Sequence, residues 1–159
     1  MARGVAMVPE GRRLFPSLSV EENLQVGTYG RRGDVWTLDT VYDLFPVLRD
    51  RRNTPGTALS GGQQQMVAIG RALMSNPEVI LFDEISLGLA PVVIKDIYAS
   101  LPRIKDTGTS VVIVEQDIGQ ALKVADRVYC MMEGRVTLTG TPAQLPRAAI
   151  HEAYFGVSA

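Results

Sequence analysis

The run from Leu59 to Ala90, LSGGQQQMVAIGRALMSNPEVILFDEISLGLA, decides the fold because it carries two pieces of chemistry in a fixed order. The first is the polar turn Leu59-Ser60-Gly61-Gly62-Gln63. Ser60 is a good N-cap, and Gly61 and Gly62 strip the first turn of side chains. Met66, Ile69 and Leu73 then recur at helical spacing, with Ala68 and Ala72 beside them, which predicts a helix of about three turns. Its bare N-terminus offers unpaired N–H groups and the positive end of the helix dipole, which suits a phosphate. Taken alone, the same turn is also an ordinary capped helix behind a glycine loop. The second piece is Val79-Ile80-Leu81-Phe82-Asp83-Glu84. Four apolar residues running into two carboxylates predict a buried parallel strand ending at the carboxyl edge of a sheet, where ligands of open α/β sheets bind. Asp83 there can hold Mg²⁺ through water, and Glu84 can orient or deprotonate an attacking water. By itself this piece too has a plain alternative, a strand entering a solvated loop.

The two pieces together resemble the nucleotide-binding domain of ABC-type ATPases. LSGGQ is similar to the signature motif of that family and VILFDE to its Walker B motif. The resemblance implies an α/β fold of the P-loop NTPase type: a parallel sheet core with a helical subdomain that carries the signature. It implies ATP and Mg²⁺ as ligands and hydrolysis of ATP at a head-to-tail dimer interface. Each site there combines one subunit's phosphate loop, Asp83 and Glu84 with Ser60, Gly61, Gly62 and Gln63 of the other.

Other stretches resemble the ATPases of branched-chain amino acid importers within that family. VPEGRRLFPSLSVEENL follows a short predicted strand, Gly4 to Val8, that Pro9 stops. In the family a Pro-Gln pair opens a loop that senses Mg²⁺ and touches the transmembrane partner; here Glu10 takes the Gln position, as in the branched-chain group. Arg12 and Arg13 lie in the turn that follows, either as a solvated pair or as part of the site, and Phe15 reads as exposed. Ser19-Val20-Glu21-Glu22 is a capping box opening a helix over Asn23 to Val26. Gly27 to Asp34 reads as a loop, Thr37 to Phe45 as a helix stopped by Pro46, and Leu48 to Thr57 as a charged loop. SLGLAP after Glu84 matches the family's D-loop, with Ala90 where many members carry Asp. Val92 to Leu101 reads as a helix, and Val111 to Val114 as a continuous apolar strand buried on both faces. In most of the family a His follows that strand by two residues and touches the γ-phosphate. Here it is Gln116, as is common in the branched-chain group; Gln can donate a hydrogen bond but cannot carry a positive charge. His151, the only histidine, lies in a C-terminal helix and reads as a surface or packed residue. Ile118 to Ala125 reads as a helix, Val128 to Met132 and Val136 to Thr139 as a hairpin around Glu133-Gly134, and Pro142 starts a last helical region ending at Ala153-Tyr154-Phe155-Gly156.

Composition bounds the reading. The 159 residues suffice for one domain with a core, and a formal net charge of −1 gives no basic field for nucleic acid. The single cysteine, Cys130, sits in an apolar run as a packed thiol, so there is no disulfide framework. No apolar run reaches the roughly 18 residues of a membrane span.

One motif is missing. No G-x-x-x-x-G-K-[ST] occurs, so the loop that cradles phosphates and supplies a lysine and an Mg²⁺-binding hydroxyl lies outside these residues. The chain therefore reads as a single incomplete domain over 1–159, with the helical subdomain at about 20–75 and the core in 1–19 and 76–159. The resemblance covers about the C-terminal two thirds of the family domain, as in a fragment, a split gene product or a mis-started frame. The phosphate-loop strand is expected beside the strands ending at Asp83 and Gln116, and its loss leaves apolar edges unpaired. The implied partners are transmembrane permease subunits and a second ATPase subunit, at the cytoplasmic face of the membrane. A non-enzymatic chain that offers only its signature turn is the alternative. A DNA-repair type of ATPase, with long coiled-coil insertions, has no counterpart here.

Overall fold

The computed structural model describes residues 4–30 and 32–155. The chain divides into two compact units, 1–116 and 117–159.

In the first unit, β1 (Val5–Val8) leads to three short helices, α1 (Val20–Val26), α2 (Leu38–Leu44) and α3 (Pro46–Asp50). The long signature helix α4 (Gly61–Leu73) follows, then β2 (Val79–Asp83), α5 (Pro91–Asp106) and β3 (Ser110–Val114). Helix α1 begins at Val20, earlier than the sequence suggested, because Ser19 is the cap itself. Its hydroxyl accepts from the Glu22 N–H at 3.2 Å, and the Glu22 carboxylate accepts from the Ser19 N–H at 2.8 Å. Asn23 is fully buried behind it and ties down the preceding loop, donating to the carbonyls of Phe15, Leu18 and Ser19 and accepting from the Phe15 N–H. Helix α3 replaces part of the expected charged loop. Pro46 does stop α2, but it then serves as the first residue of α3, where its missing N–H costs nothing. Helix α1 packs on α4 at close range: a Cβ on Gly70 would sit 2.7 Å from Leu24 Cδ2 and Val41 Cγ1. Leu24, Val41, Leu48, Ile69 and Leu73 form the fully buried core of this helical layer.

Helix α5 runs on past the expected end at Leu101 and contains Pro102. Burial of Leu101 and Ile104 on either side holds it helical despite the missing donor.

The sheet is parallel with order β1-β2-β3, in register Val5↔Val79, Val8↔Phe82 and Asp83↔Val114. This corrects one expectation. Strand β2 is paired on both sides, because the short crossover through α5 lays β3 directly against it. A phosphate-loop strand can therefore pair with β3, the strand that leads to Gln116, but not with the strand ending at Asp83.

A second correction concerns burial. Ala6, Val8, Ile80 and Phe82 point to one face and are buried, with α4 packed against β1 and α5 against β3. The opposite face is open: Met7 is 52% and Val114 59% exposed, with Val5 and Val112 beside them. The apolar run Val111 to Val114 is thus covered on one side only, whereas parallel sheets usually carry layers on both.

The second unit holds α6 (Ile118–Val124), the antiparallel pair β4 (Val128–Met132) and β5 (Arg135–Gly140), and α7 (Arg147–Phe155). Asp117 caps α6 by accepting from the Gln120 N–H at 3.1 Å. Glu133 and Gly134 both have positive φ, 48° and 75°, so the hairpin closes as the sequence suggests. Helix α7 packs on the hairpin, and Thr137 Oγ1 donates to the Ala153 carbonyl at 3.2 Å. Cys130 is buried, and burial pushes its thiol pKa up. Gly156 lies outside the described residues.

Candidate functional site

The signature turn is built by local bonds. The Ser60 hydroxyl accepts from the Gln63 N–H at 3.3 Å, and the Gln63 side-chain amide oxygen Oε1 accepts from the Ser60 N–H at 3.0 Å. This reciprocal cap places Gly61 and Gly62 at the first two positions of α4, with their N–H groups at the open helix end. The two glycines have different surroundings. A Cβ on Gly62 would lie 2.5 Å from Val93 Cγ1, so this glycine lets α4 meet α5. A Cβ on Gly61 would meet only the Arg12 guanidinium, 3.3 Å away. Gly61 therefore keeps a surface bare rather than a core close.

Arg12 is held there from below. Arg12 and Arg13 both adopt left-handed backbone, φ 64° and 48°. Two adjacent non-glycine residues in that region are strained, at about 1–2 kcal/mol each. Arg71, from the last turn of α4, donates to both of their carbonyls, at 3.0 Å to Arg12 and 2.7 Å to Arg13. Its guanidinium also stacks over the Phe15 ring at 5.7 Å, and burial pulls its pKa down. Arg71 was not legible as part of this region, because its partners lie 58 and 59 residues away.

The carboxylate edge is built differently. Strands β1, β2 and β3 run parallel, so the segments carrying Glu10, Asp83, Glu84 and Gln116 all leave the same edge of the sheet. Glu84 has left-handed backbone, φ 49°, and its N–H donates to the Val114 carbonyl at 2.9 Å. Gln116 Nε2 donates to Glu84 Oε1 at 2.7 Å, so the structure brings these two predicted residues together. Two residues after Glu84, Ser86 donates twice to Glu115, from its N–H at 3.0 Å and from its hydroxyl at 2.9 Å. Between them Ile85 is buried. Neither Ser86 nor Glu115 was singled out by the sequence, where 29 residues separate them.

Glu10 is exposed beyond the end of β1. Among the described residues no hydrogen bond joins Ser60–Gln63 to Asp83, Glu84 or Gln116. Nor does any group of three or more His, Cys, Asp or Glu form a metal cluster. A hydrated Mg²⁺ does not need one, since it is usually held through one or two carboxylates, water and substrate phosphates. Asp83 fits that use: its carboxylate makes no hydrogen bond or ion pair among the described residues. The bare Cα of Gly61 likewise leaves a surface that a phosphate can approach. No helix among the described residues is long and apolar enough to cross a membrane.

Comparison with known proteins bears on the family and the fold. The ABC transporter family profile matches residues 1–86. A relative from Pseudomonas aeruginosa, the high-affinity branched-chain amino acid transport ATP-binding protein BraG, is 45% identical over 98% of this chain and 68% of its own length. The probable branched-chain amino acid transport ATP-binding protein LivF of Archaeoglobus fulgidus is 32% identical over 89% of this chain and 61% of its own length. Among solved structures, the ADP conformation of the ATP-binding cassette MJ1267 superposes with a TM-score of 0.73 at 25% identity, covering 97% of this chain and 69% of that one. A dimeric, post-hydrolysis ATP-binding cassette, MJ0796 bound to ADP and Pi, gives a TM-score of 0.73 at 27% identity, over 87% and 62%.

Proposed function

The chain belongs to the ABC transporter family of ATP-binding proteins, and on that premise we propose that it serves as the ATP-hydrolysing subunit of an importer for branched-chain amino acids. The solute class rests on the likeness to BraG. The chemistry rests on one observation above all, the Glu84 carboxylate held by Gln116 at the carboxyl edge of the sheet.

The residues take the following roles. Glu84 orients and deprotonates the attacking water, while the second N–H of Gln116 remains free to donate to a phosphate oxygen. Asp83 holds Mg²⁺ through water, and the ion, when bound, neutralises charge on the transferring phosphoryl group. Ser60, Gly61, Gly62 and Gln63 present the open end of α4 to the terminal phosphate of a nucleotide bound by a second ATPase subunit. Glu10 lies in the loop that would sense Mg²⁺ and meet the transmembrane permease subunits, with the protein working at the cytoplasmic face of the membrane. The loop that cradles the phosphates is supplied from outside these 159 residues.

A second reading is a non-enzymatic partner that offers only its signature turn, since no G-x-x-x-x-G-K-[ST] run lies within these 159 residues. One experiment separates the two. The 159-residue chain is assayed for Mg²⁺-dependent ATP hydrolysis alone and after joining to a strand–loop–helix segment bearing GxxxxGK[ST]. The chain alone should be silent and the joined chain active, with Glu84→Gln lowering turnover by roughly 10²–10⁴-fold while nucleotide still binds. A joined chain that binds nucleotide but stays silent favours the partner reading, and one unaffected by Glu84→Gln removes Glu84 as the base.

A further inference from the structure

The roles assigned above leave Glu115 unused, although it is one of the most firmly engaged side chains at the sheet edge. Both of its carboxylate oxygens are taken by a single residue, Oε1 by the Ser86 N–H and Oε2 by the Ser86 hydroxyl. Hydrogen bonds to a charged acceptor are stronger than neutral ones, and a two-point contact fixes direction as well as distance. No ion pair competes for this carboxylate among the described residues, so its partner is the backbone and side chain of the turn after β2.

That turn is the one that holds Glu84. Its backbone is left-handed at φ 49°, a conformation that a non-glycine residue keeps only when its surroundings impose it. Three constraints do so in sequence. The Glu84 N–H donates to the Val114 carbonyl, Ile85 is buried, and Ser86 is clamped by Glu115. The first and third come from consecutive residues at the end of β3, and the next residue, Gln116, binds the Glu84 carboxylate itself. The end of β3 thus grips residues 84 and 86 by the backbone and meets the Glu84 carboxylate as well. Releasing the Ser86 end lets the turn relax toward ordinary backbone and swings the carboxylate away from Gln116.

We propose that Glu115 is a positioning residue for Glu84, acting through its two-point clamp on Ser86. The proposal rests on the reading of Glu84 as the base. It also makes the clamp the device that keeps the turns after β2 and β3 moving as one piece.

The test starts with the full 159-residue chain and follows the Gln116 side-chain amide by nuclear magnetic resonance. In Glu115→Ala, and to a lesser degree in Ser86→Ala, this signal should move toward the position it takes in Glu84→Ala, where its acceptor is gone. In Glu115→Gln it should stay near its original place, because a Gln amide can accept from the Ser86 N–H and donate to the Ser86 hydroxyl. An unmoved signal in Glu115→Ala overturns the proposal. If Glu115→Ala does not fold, Ser86→Ala, which removes one hydroxyl, decides on the same criterion.

A kinetic arm uses the chain joined to a phosphate loop. There Glu115→Ala should lower kcat by at least about tenfold, part of what the base itself contributes, with KM unchanged and with rescue by Glu115→Gln. Loss of turnover in Glu84→Gln with full kcat in Glu115→Ala defeats the positioning role and leaves the base standing. Full turnover in Glu84→Gln defeats the base, and the resonance shift then judges the clamp by itself.

Discussion

The signature turn and the carboxylate edge serve one proposed reaction, yet they are assembled by opposite means. Ser60 to Gln63 closes on itself through two hydrogen bonds between residues three apart. Glu84, Ser86, Glu115 and Gln116 are joined only by bonds that span 29 to 32 residues, across two strand ends. The first arrangement is specified by a tetrapeptide. The second exists only when β2 and β3 are docked in register. A local motif is therefore the part of such a site that a sequence can carry intact, and the aim of the base is the part that the tertiary structure must supply.

The largest expected effect isolates function within the local turn. Gly61→Asp, in the chain joined to a phosphate loop, should abolish ATP-driven dimerisation and hydrolysis, because a carboxylate then faces the phosphate across the interface. The melting temperature should hold, since the new side chain meets only the Arg12 guanidinium, a cation that can pair with it, and an acid suits the first turn of a helix. A chain that loses its fold without a separate dimer defect would reduce Gly61 to a structural glycine.

A smaller effect comes from the neighbouring position and should have the reverse signature. Gly62→Ala places a methyl 2.5 Å from Val93 Cγ1 and forces α4 and α5 apart. Overpacking of this kind costs about 1–3 kcal/mol. Chemical denaturation should show that loss in the 159-residue chain, with no phosphate present. Equal stability of the two variants would mean that the glycines do not divide their work as the structure indicates.

The smallest effect compares two capping boxes of the same design. At α1 the box is closed by Glu22, whose pKa is lowered from its ordinary value of 4.5, first by the Ser19 backbone N–H and then by the Ser19 hydroxyl. At α4 it is closed by Gln63, which does not titrate. A depressed carboxylate pKa stabilises the fold above the unfolded value, and the gain disappears as pH falls through the folded value. Acidification should therefore loosen the cap of α1 and leave that of α4 intact. A carbon-detected titration of Glu22 should show the depressed value, and Ser19→Ala should return it toward 4.5. An unshifted Glu22 would mean that its bonds to Ser19 are not kept in solution.

How much was legible follows the same division. Ser60 as a cap, β2 ending at Asp83, the Glu133-Gly134 hairpin and the burial of Cys130 are all set by short-range rules, and the structure agrees with each. Helix α3 was missed because a proline that ends one helix was not read as starting another. The run Val111 to Val114 announced a strand, but four apolar residues cannot say how many layers will cover them. Arg71 reaching back to Arg12 and Arg13, and Ser86 reaching across to Glu115, leave no mark at all, because either partner viewed alone is an ordinary polar residue.

The open sheet face has a thermal consequence. Unfolding usually raises the heat capacity by about 12–15 cal/mol/K per residue, chiefly because apolar groups become hydrated only then. Val5, Met7, Val112 and Val114 are already about half exposed to water before the chain melts. Part of their share of the increment is missing, so the stability of the first unit should curve less with temperature than its size suggests. Covering that face would restore the curvature, and calorimetry would register it as a steeper baseline step between the folded and unfolded chain.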